Sequence, residues 1–330
     1  MINTNVVPAN MIHDTICNEG KTLRVIRPVS AGEGSLQHLL TYIGSEKTNL
    51  DDLLSRDGAV LFRGFGIGHR NGFLQIKEAI AGSTHFDYVD GNSPRTKISH
   101  AVYTSTEYPR EFPISMHSEL SYSTRWPSLL FFYCKTPASE GGETPIADCR
   151  HILQQLGREL TEKFEEHGVK YTRFLSGSKG IGKTWMDTFE TEDRQVVEEH
   201  CRSNGIAYAW EGNSLCLSQQ GPGVIRHPVT GEKVWFNQAN QFHPSGLPAD
   251  IRKALTLMHG KNLHRFPQYS FYGNGEEILD KDLQTITQTS FDCALKFSWE
   301  KDDLLVLDNL LMSHGRMPFK GQREILVSMC

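Results

Sequence analysis

In the string ISMHSELSY (114–122) an imidazole and a carboxylate, His117 and Glu119, stand two residues apart. Side chains at i and i+2 of a strand share a face, so in an extended segment this pair can converge on one cation. A second imidazole, His314, follows the apolar run LLVLDN (304–309) within the string SHGRMPF. If a later strand brings His314 beside the first pair, two histidines and one carboxylate occupy one face of an octahedral ion. That is the donor set of non-haem Fe(II) oxygenases, and it leaves three adjacent positions open for co-substrate and O2. A histidine near a glutamate is also a common surface pairing, so the reading depends on what surrounds it.

Arg323 lies nine residues after His314, at the head of the apolar run 325–327. Inside a barrel its guanidinium can pair bidentately with a carboxylate. Thr144, in the tight string GGETP, can donate its hydroxyl to the same anion. Arg316, two residues past His314, competes with Arg323 for this role. The plainer readings are a surface salt bridge for Arg323 and a β-branched strand residue for Thr144. Asn237 and His243, in WFNQANQFH, are candidates to face a substrate, against readings as a turn asparagine and a packed histidine.

Such residues meet only if strands carry them together. Short apolar or alternating runs predict strands at 59–62, 114–122, 129–134, 143–147, 169–174, 206–210, 234–236, 304–307 and 324–329. Helical spacing marks 36–43 and 73–80, a helix capped by Asp148 that runs to about Gly168, and helices at 192–202 and 249–263. Many short strands with helical insertions indicate a barrel or sandwich, and the absence of βαβα alternation disfavours a doubly wound nucleotide fold. No Pro/Gly/Ser-rich linker divides the chain. One domain over 1–330 is expected, with 1–110 as cover elements and 111–330 as core with insertions.

A competing motif is GSKGIGKT (177–184), which satisfies G-x-x-x-x-G-K-[ST]. A phosphate loop needs a preceding parallel strand and a helix opening at the Gly-Lys. The segment WMDTF that follows is a poor first helical turn, and no train of βα units succeeds it. A loop near 175–190 that closes over the active site is the preferred reading. A P-loop nucleotide-binding protein and a non-catalytic β-barrel binding module stand as the alternatives.

Composition bounds the partners. With 34 basic and 39 acidic side chains the formal net charge is −5, and no basic block offers a footprint for nucleic acid or an anionic membrane. No apolar run approaches the roughly 20 residues of a spanning helix. The N-terminal string lacks a basic region followed by an apolar stretch, and seven cysteines include no CxxC pair. A cytoplasmic protein with reduced cysteines serving as small core residues is expected.

The strings MHSELSYSTRWPSLLFFYCKTPASEGGETPIAD and LLVLDNLLMSHGRMPFKGQREILVSM resemble the taurine dioxygenase and clavaminate synthase-like family of Fe(II)/2-oxoglutarate-dependent oxygenases. RDGAVLFRGF, around Arg63, resembles the family's N-terminal portion, so the likeness spans roughly 55–330. The resemblance implies a mainly β fold with helical decoration, built on a double-stranded β-helix of jelly-roll, cupin-like type. It implies His117, Glu119 and His314 as iron ligands and Thr144 and Arg323 as anchors for 2-oxoglutarate, with Arg316 as the alternative. It implies oxidative decarboxylation of 2-oxoglutarate to succinate and CO2, coupled through O2 to oxidation of an unactivated C–H bond. Halogenating members replace the carboxylate ligand with a small residue, so Glu119 favours hydroxylation; desaturation and cyclisation stay open. The strings SHGRMPF and WFNQANQFH look most like the branch acting on amino acids, free or tethered to a carrier protein, in natural-product pathways.

Overall fold

The computed structural model describes residues 11–86, 97–99, 102–105, 108–178 and 182–330. The chain opens with the hairpin β1 (Met11–Asn18) and β2 (Lys21–Pro28), then α1 (Leu36–Ser45), α2 (Lys47–Asp57), β3 (Ala59–Phe62) and α3 (Arg70–Ala81). Six short strands follow: β4 (Lys97–Ser99), β5 (Val102–Thr104), β6 (Ile114–His117), β7 (Leu129–Thr136), β8 (Glu140–Gly141) and β9 (Ile146–Asp148). The middle of the chain holds α4 (Cys149–Gln155), α5 (Arg158–His167), β10 (Val169–Leu175), α6 (Trp185–Phe189), α7 (Arg194–Ser203), β11 (Ala207–Glu211), β12 (Ser214–Gly221), β13 (Val224–Arg226), β14 (Lys233–Trp235), α8 (Ala239–Phe242), α9 (Ala249–His259), β15 (Gln268–Tyr272) and α10 (Asp280–Asp292). It closes with β16 (Leu304–Asp308), β17 (Met312–Arg316), β18 (Phe319–Lys320) and β19 (Glu324–Met329).

An eight-stranded sheet, ordered β1-β2-β3-β16-β7-β19-β5-β4, faces a three-stranded sheet ordered β6-β17-β9. Alternation explains the packing. On β16, Leu305 and Leu307 enter the core shared with Met116, Ile146 and Met312 of the smaller sheet. Leu304 and Val306 point the other way and pack with Leu39, Ile43, Phe73 and Ile76 of α1 and α3. Because both faces are covered, the strand reads as an unbroken apolar run. These facing sheets are the expected double-stranded β-helix; helices make up about 34% of the chain against 32% for all strands, which include a separate four-stranded sheet ordered β11-β12-β10-β15.

Residues 11–28 and 59–62 are strands of the large sheet itself, with β2 running parallel to β3 and β3 antiparallel to β16. Arg63, just past β3, donates to both carboxylate oxygens of fully buried Asp303, at 2.9 and 2.6 Å. The stretch expected as one helix after Asp148 is two, because Gly157 takes φ +81° between α4 and α5. Strands β1, β2, β12, β13, β15 and β17 and helix α10 lie outside the segments expected from the sequence. All seven cysteines are free; Cys17 is exposed, unlike the core residue expected, because β1 lies at the edge of the large sheet. Among the described residues no helix is long and apolar enough to cross a membrane.

Candidate active site

The two histidines are brought together by strand pairing. In the antiparallel register of β6 and β17, His117 and His314 are direct partners across the ladder. Their rings lie 4.4 Å apart between centroids, and His314 also packs on Phe132 at 5.1 Å. Strand β9 flanks β17 on its other edge, pairing Ile146 with His314.

Glu119 arrives differently from the expected i, i+2 strand alternation. β6 ends at His117, and Glu119 sits in a turn in which Leu120 adopts φ +56°. Asn309, fully buried at the end of β16, holds that turn. Its side chain accepts from the Glu119 N–H at 2.7 Å and donates to the carbonyls of Glu119 at 3.0 Å and Pro127 at 2.8 Å. The carboxylate oxygen of Glu119 then stands 3.8 Å from His314 Nε2 and 4.0 Å from His117 Nε2.

One ligand atom from each of the three buried residues lies within 4.8 Å of the other two. His117 Nδ1 is bonded to the carbonyl of Ser115 at 2.9 Å, which places its proton there and leaves the Nε2 lone pair facing the other two donors. Two imidazoles and one carboxylate brought together in this way fit a divalent iron.

Next to this cluster, one cavity is lined by His117, His314, Thr144 and Arg323, with Phe132 and Ile325 among its apolar walls. Arg323 is half-buried just ahead of β19. It donates from Nε to the Gly142 carbonyl at 2.9 Å and approaches the hydroxyls of Ser105 and Thr144 at 3.4 Å. It makes no ion pair with a described carboxylate. Burial pushes its guanidinium down to about 10, and the charge of Arg316 adds to the effect. A partly desolvated cation with no acidic partner among the described residues is costly, so the cavity favours an anionic ligand. Arg316 lines the same cavity, but its terminal nitrogens are spent on the carbonyls of Tyr108, Pro109 and Phe112.

The other candidates are placed as follows. Asn237 donates to the Gly223 carbonyl at 2.9 Å and accepts from Ala239 N–H, so its amide stabilises the turn into α8. His243 is buried against Tyr269, with Nδ1 bonded to Ser245. In the Gly-rich motif, residues 179–181 lie outside the described residues. β10, the strand before it, is antiparallel to both of its neighbours, not the parallel strand a phosphate loop requires. A five-residue helix does form after it, contrary to propensity, because Thr184 and Asp187 make a capping box and Trp185 and Phe189 are buried. Within the segment expected to close over the site, Thr184, Trp185, Thr188 and Phe189 are buried.

Asn309 was missed because nothing local distinguishes an asparagine after an apolar strand. Trp299, whose indole N–H donates to Thr144 Oγ1 at 3.1 Å, was missed for the same reason. Gln238 and Gln241 also went unnoticed; they donate to the carbonyls of Ser118 and Ser115, on either side of His117.

A double-stranded β-helix with a His/Glu/His cluster beside a half-buried arginine that pairs with no described carboxylate defines the class of non-haem Fe(II)/2-oxoglutarate-dependent oxygenases. Residues 23–330 match the family described as taurine catabolism dioxygenase TauD, TfdA family, and the chain belongs to it. It is 37% identical over 281 residues to the dapdiamide synthesis protein DdaC of Enterobacter agglomerans, covering 85% of this chain and 84% of that protein. It is 31% identical over 299 residues to a clavaminate synthase-like protein of Arabidopsis thaliana, covering 87% and 86%. Among solved structures, PvcB of Pseudomonas aeruginosa, described as an Fe, alpha-ketoglutarate dependent oxygenase from an isonitrile synthetic pathway, superimposes with a TM-score of 0.55 at 14% identity. The match covers 97% of this chain and 91% of PvcB. The enzyme is therefore a non-haem iron oxygenase that uses Fe(II), 2-oxoglutarate and O2.

Proposed function

We propose that His117, Glu119 and His314 hold the Fe(II), that Arg323 and Thr144 receive the distal carboxylate of 2-oxoglutarate, and that the enzyme hydroxylates an unactivated C–H bond of an amino acid or amino-acid-derived substrate in natural-product biosynthesis. The substrate is free or tethered to a carrier protein. The observation that carries the site assignment is the set of three buried residues whose donor atoms lie within 4.8 Å of one another, two of which, His117 and His314, share a cavity with an arginine that pairs with no described carboxylate. The substrate class is supported by the 37% identity to a dapdiamide synthesis protein.

When bound, iron and 2-oxoglutarate supply the oxidation, with succinate and CO2 as by-products. The chain's own residues prepare for it. The three ligands on one side of the ion leave room for co-substrate and O2. Ser115 holds His117 in its ligating tautomer. Arg323 pairs with an incoming carboxylate beside the apolar side chains of Phe132, Ile325 and Val327, where the pairing is stronger than it would be at a surface. Arg323 is preferred over Arg316 because the latter's terminal N–H groups are occupied by three carbonyls.

Succinate formation dependent on added substrate tests the assignment. Amino acids offered free and as carrier thioesters should include at least one that stimulates succinate release and gains one oxygen atom by mass. The signal should vanish in Glu119→Ala. Stimulation only by compounds without an amino-acid portion would contradict the substrate class.

A further inference from the structure

We infer that Trp299 is a positioning residue for the co-substrate: its indole N–H fixes the direction in which Thr144 donates its hydroxyl hydrogen. The inference rests on the reading of Thr144 and Arg323 as the 2-oxoglutarate anchor.

A threonine hydroxyl has one hydrogen and two lone pairs, and its rotor turns to suit its neighbours. Around Thr144 Oγ1 the neighbours leave little choice. Trp299 Nε1 at 3.1 Å and an Arg323 terminal nitrogen at 3.4 Å both approach it, and both groups can only donate. With both lone pairs engaged, the hydroxyl hydrogen has to point elsewhere. Thr144 is buried and lines the cavity that also reaches His117, His314 and Arg323, so the remaining direction is into that cavity. An anionic oxygen there meets a donor already turned toward it. Without the indole, the hydroxyl is free to rotate and offer a lone pair, which would repel the same oxygen.

The position of Trp299 is itself over-determined. Leu295 and Ile146 exchange both backbone hydrogen bonds, at 2.8 and 3.0 Å, which lays the stretch leading to Trp299 alongside the one carrying Thr144. Arg63 grips the residues on either side of Trp299. It donates to the Ser298 carbonyl at 2.7 Å and pairs with Glu300 at 2.8 Å, while its other contacts hold Asp303. The RDGAVLFRGF segment thereby acts on the co-substrate pocket without lining it.

The test is an anaerobic titration of 2-oxoglutarate onto the Fe(II)-loaded protein, followed by its metal-to-ligand charge-transfer band, for wild type, Trp299→Phe, Thr144→Val and the double variant. Each single change should weaken 2-oxoglutarate binding by about tenfold, the worth of one hydrogen bond to a charged group. The double variant should bind no more weakly than Thr144→Val, because Trp299 acts only through that hydroxyl. Thr144→Ser should restore near wild-type affinity, and Fe(II) affinity should not change. Wild-type binding by Trp299→Phe, or losses that multiply in the double variant, would overturn the proposal. If Trp299→Phe does not fold, benzothienylalanine at position 299 removes only the N–H and should give the same loss. A wild type that shows no band would instead overturn the underlying anchor reading, and the proposal with it.

Discussion

Asn309 shows how a single buried amide can place a candidate metal ligand. It satisfies the N–H and C=O of Glu119 and the C=O of Pro127, across 190 and 182 residues of chain. Asn309→Ala would leave three buried backbone groups unpaired, which costs roughly 2–4 kcal/mol of stability. By loosening the Glu119 turn it should also lower Fe(II) affinity by roughly tenfold or more. Chemical denaturation and metal titration check the two effects, and unchanged metal affinity would place the turn's rigidity elsewhere. The two arginines make a second comparison. Arg323→Met should weaken 2-oxoglutarate binding by about a hundredfold, the loss expected for a buried charge-assisted pair. Arg316→Met should act mainly on stability, since it releases the carbonyls of Tyr108, Pro109 and Phe112. The reverse order of effects would exchange their roles. That His117, Glu119 and His314 would come together was legible from their residue types, although the strand expected to carry Glu119 ends at His117. Asn309 and Trp299 were not legible, since each acts on a partner at least 155 residues away and local pattern does not encode long-range pairing.

At the level of elements, strongly apolar strands such as β7, β16 and β19 were visible in the sequence because two covered faces leave no room for polar residues. β17, which carries His314, was not visible: MSHGR is polar, yet every residue in it is buried between β6 and β9. The turn after β6 was hidden for a related reason, because the run from Ile114 alternates as a strand would while Asn309 captures the chain at Glu119. α8 and the turn after it carry a pH-dependent contribution. Burial pushes the His243 imidazole down to about 4 from its ordinary 6.5, with Asp280 opposing the shift and Arg252 adding to it. The folded protein therefore binds the proton less readily than the unfolded chain. This contribution is complete above pH 6.5 and is lost as the pH falls toward 4, a change of about 3 kcal/mol. Thermal unfolding from pH 7 to 4.5 should show a shallower loss in His243→Gln than in wild type; equal slopes would contradict it.

For the whole molecule, the chain must close around one point. His117 is joined to His314 through a strand ladder, Glu119 is held beside them by Asn309, and the N-terminal segment enters the large sheet through β2, β3 and the Arg63–Asp303 pair. We therefore expect residues 11–330 to unfold in one cooperative transition. Arg63→Ala should lower that transition by about 3–5 kcal/mol, because it leaves Asp303 buried and unpaired, without splitting it in two. Calorimetry that resolves two transitions would separate the N-terminal cover from the barrel. The central claim is that one iron site, built from three side chains far apart in sequence, accepts 2-oxoglutarate. Its most direct test is the anaerobic visible spectrum of the protein mixed with Fe(II) and 2-oxoglutarate. The account expects a charge-transfer band in the wild type that is lost in both Glu119→Ala and His314→Ala. A band that persists in either variant, or none with intact wild-type protein, would contradict it.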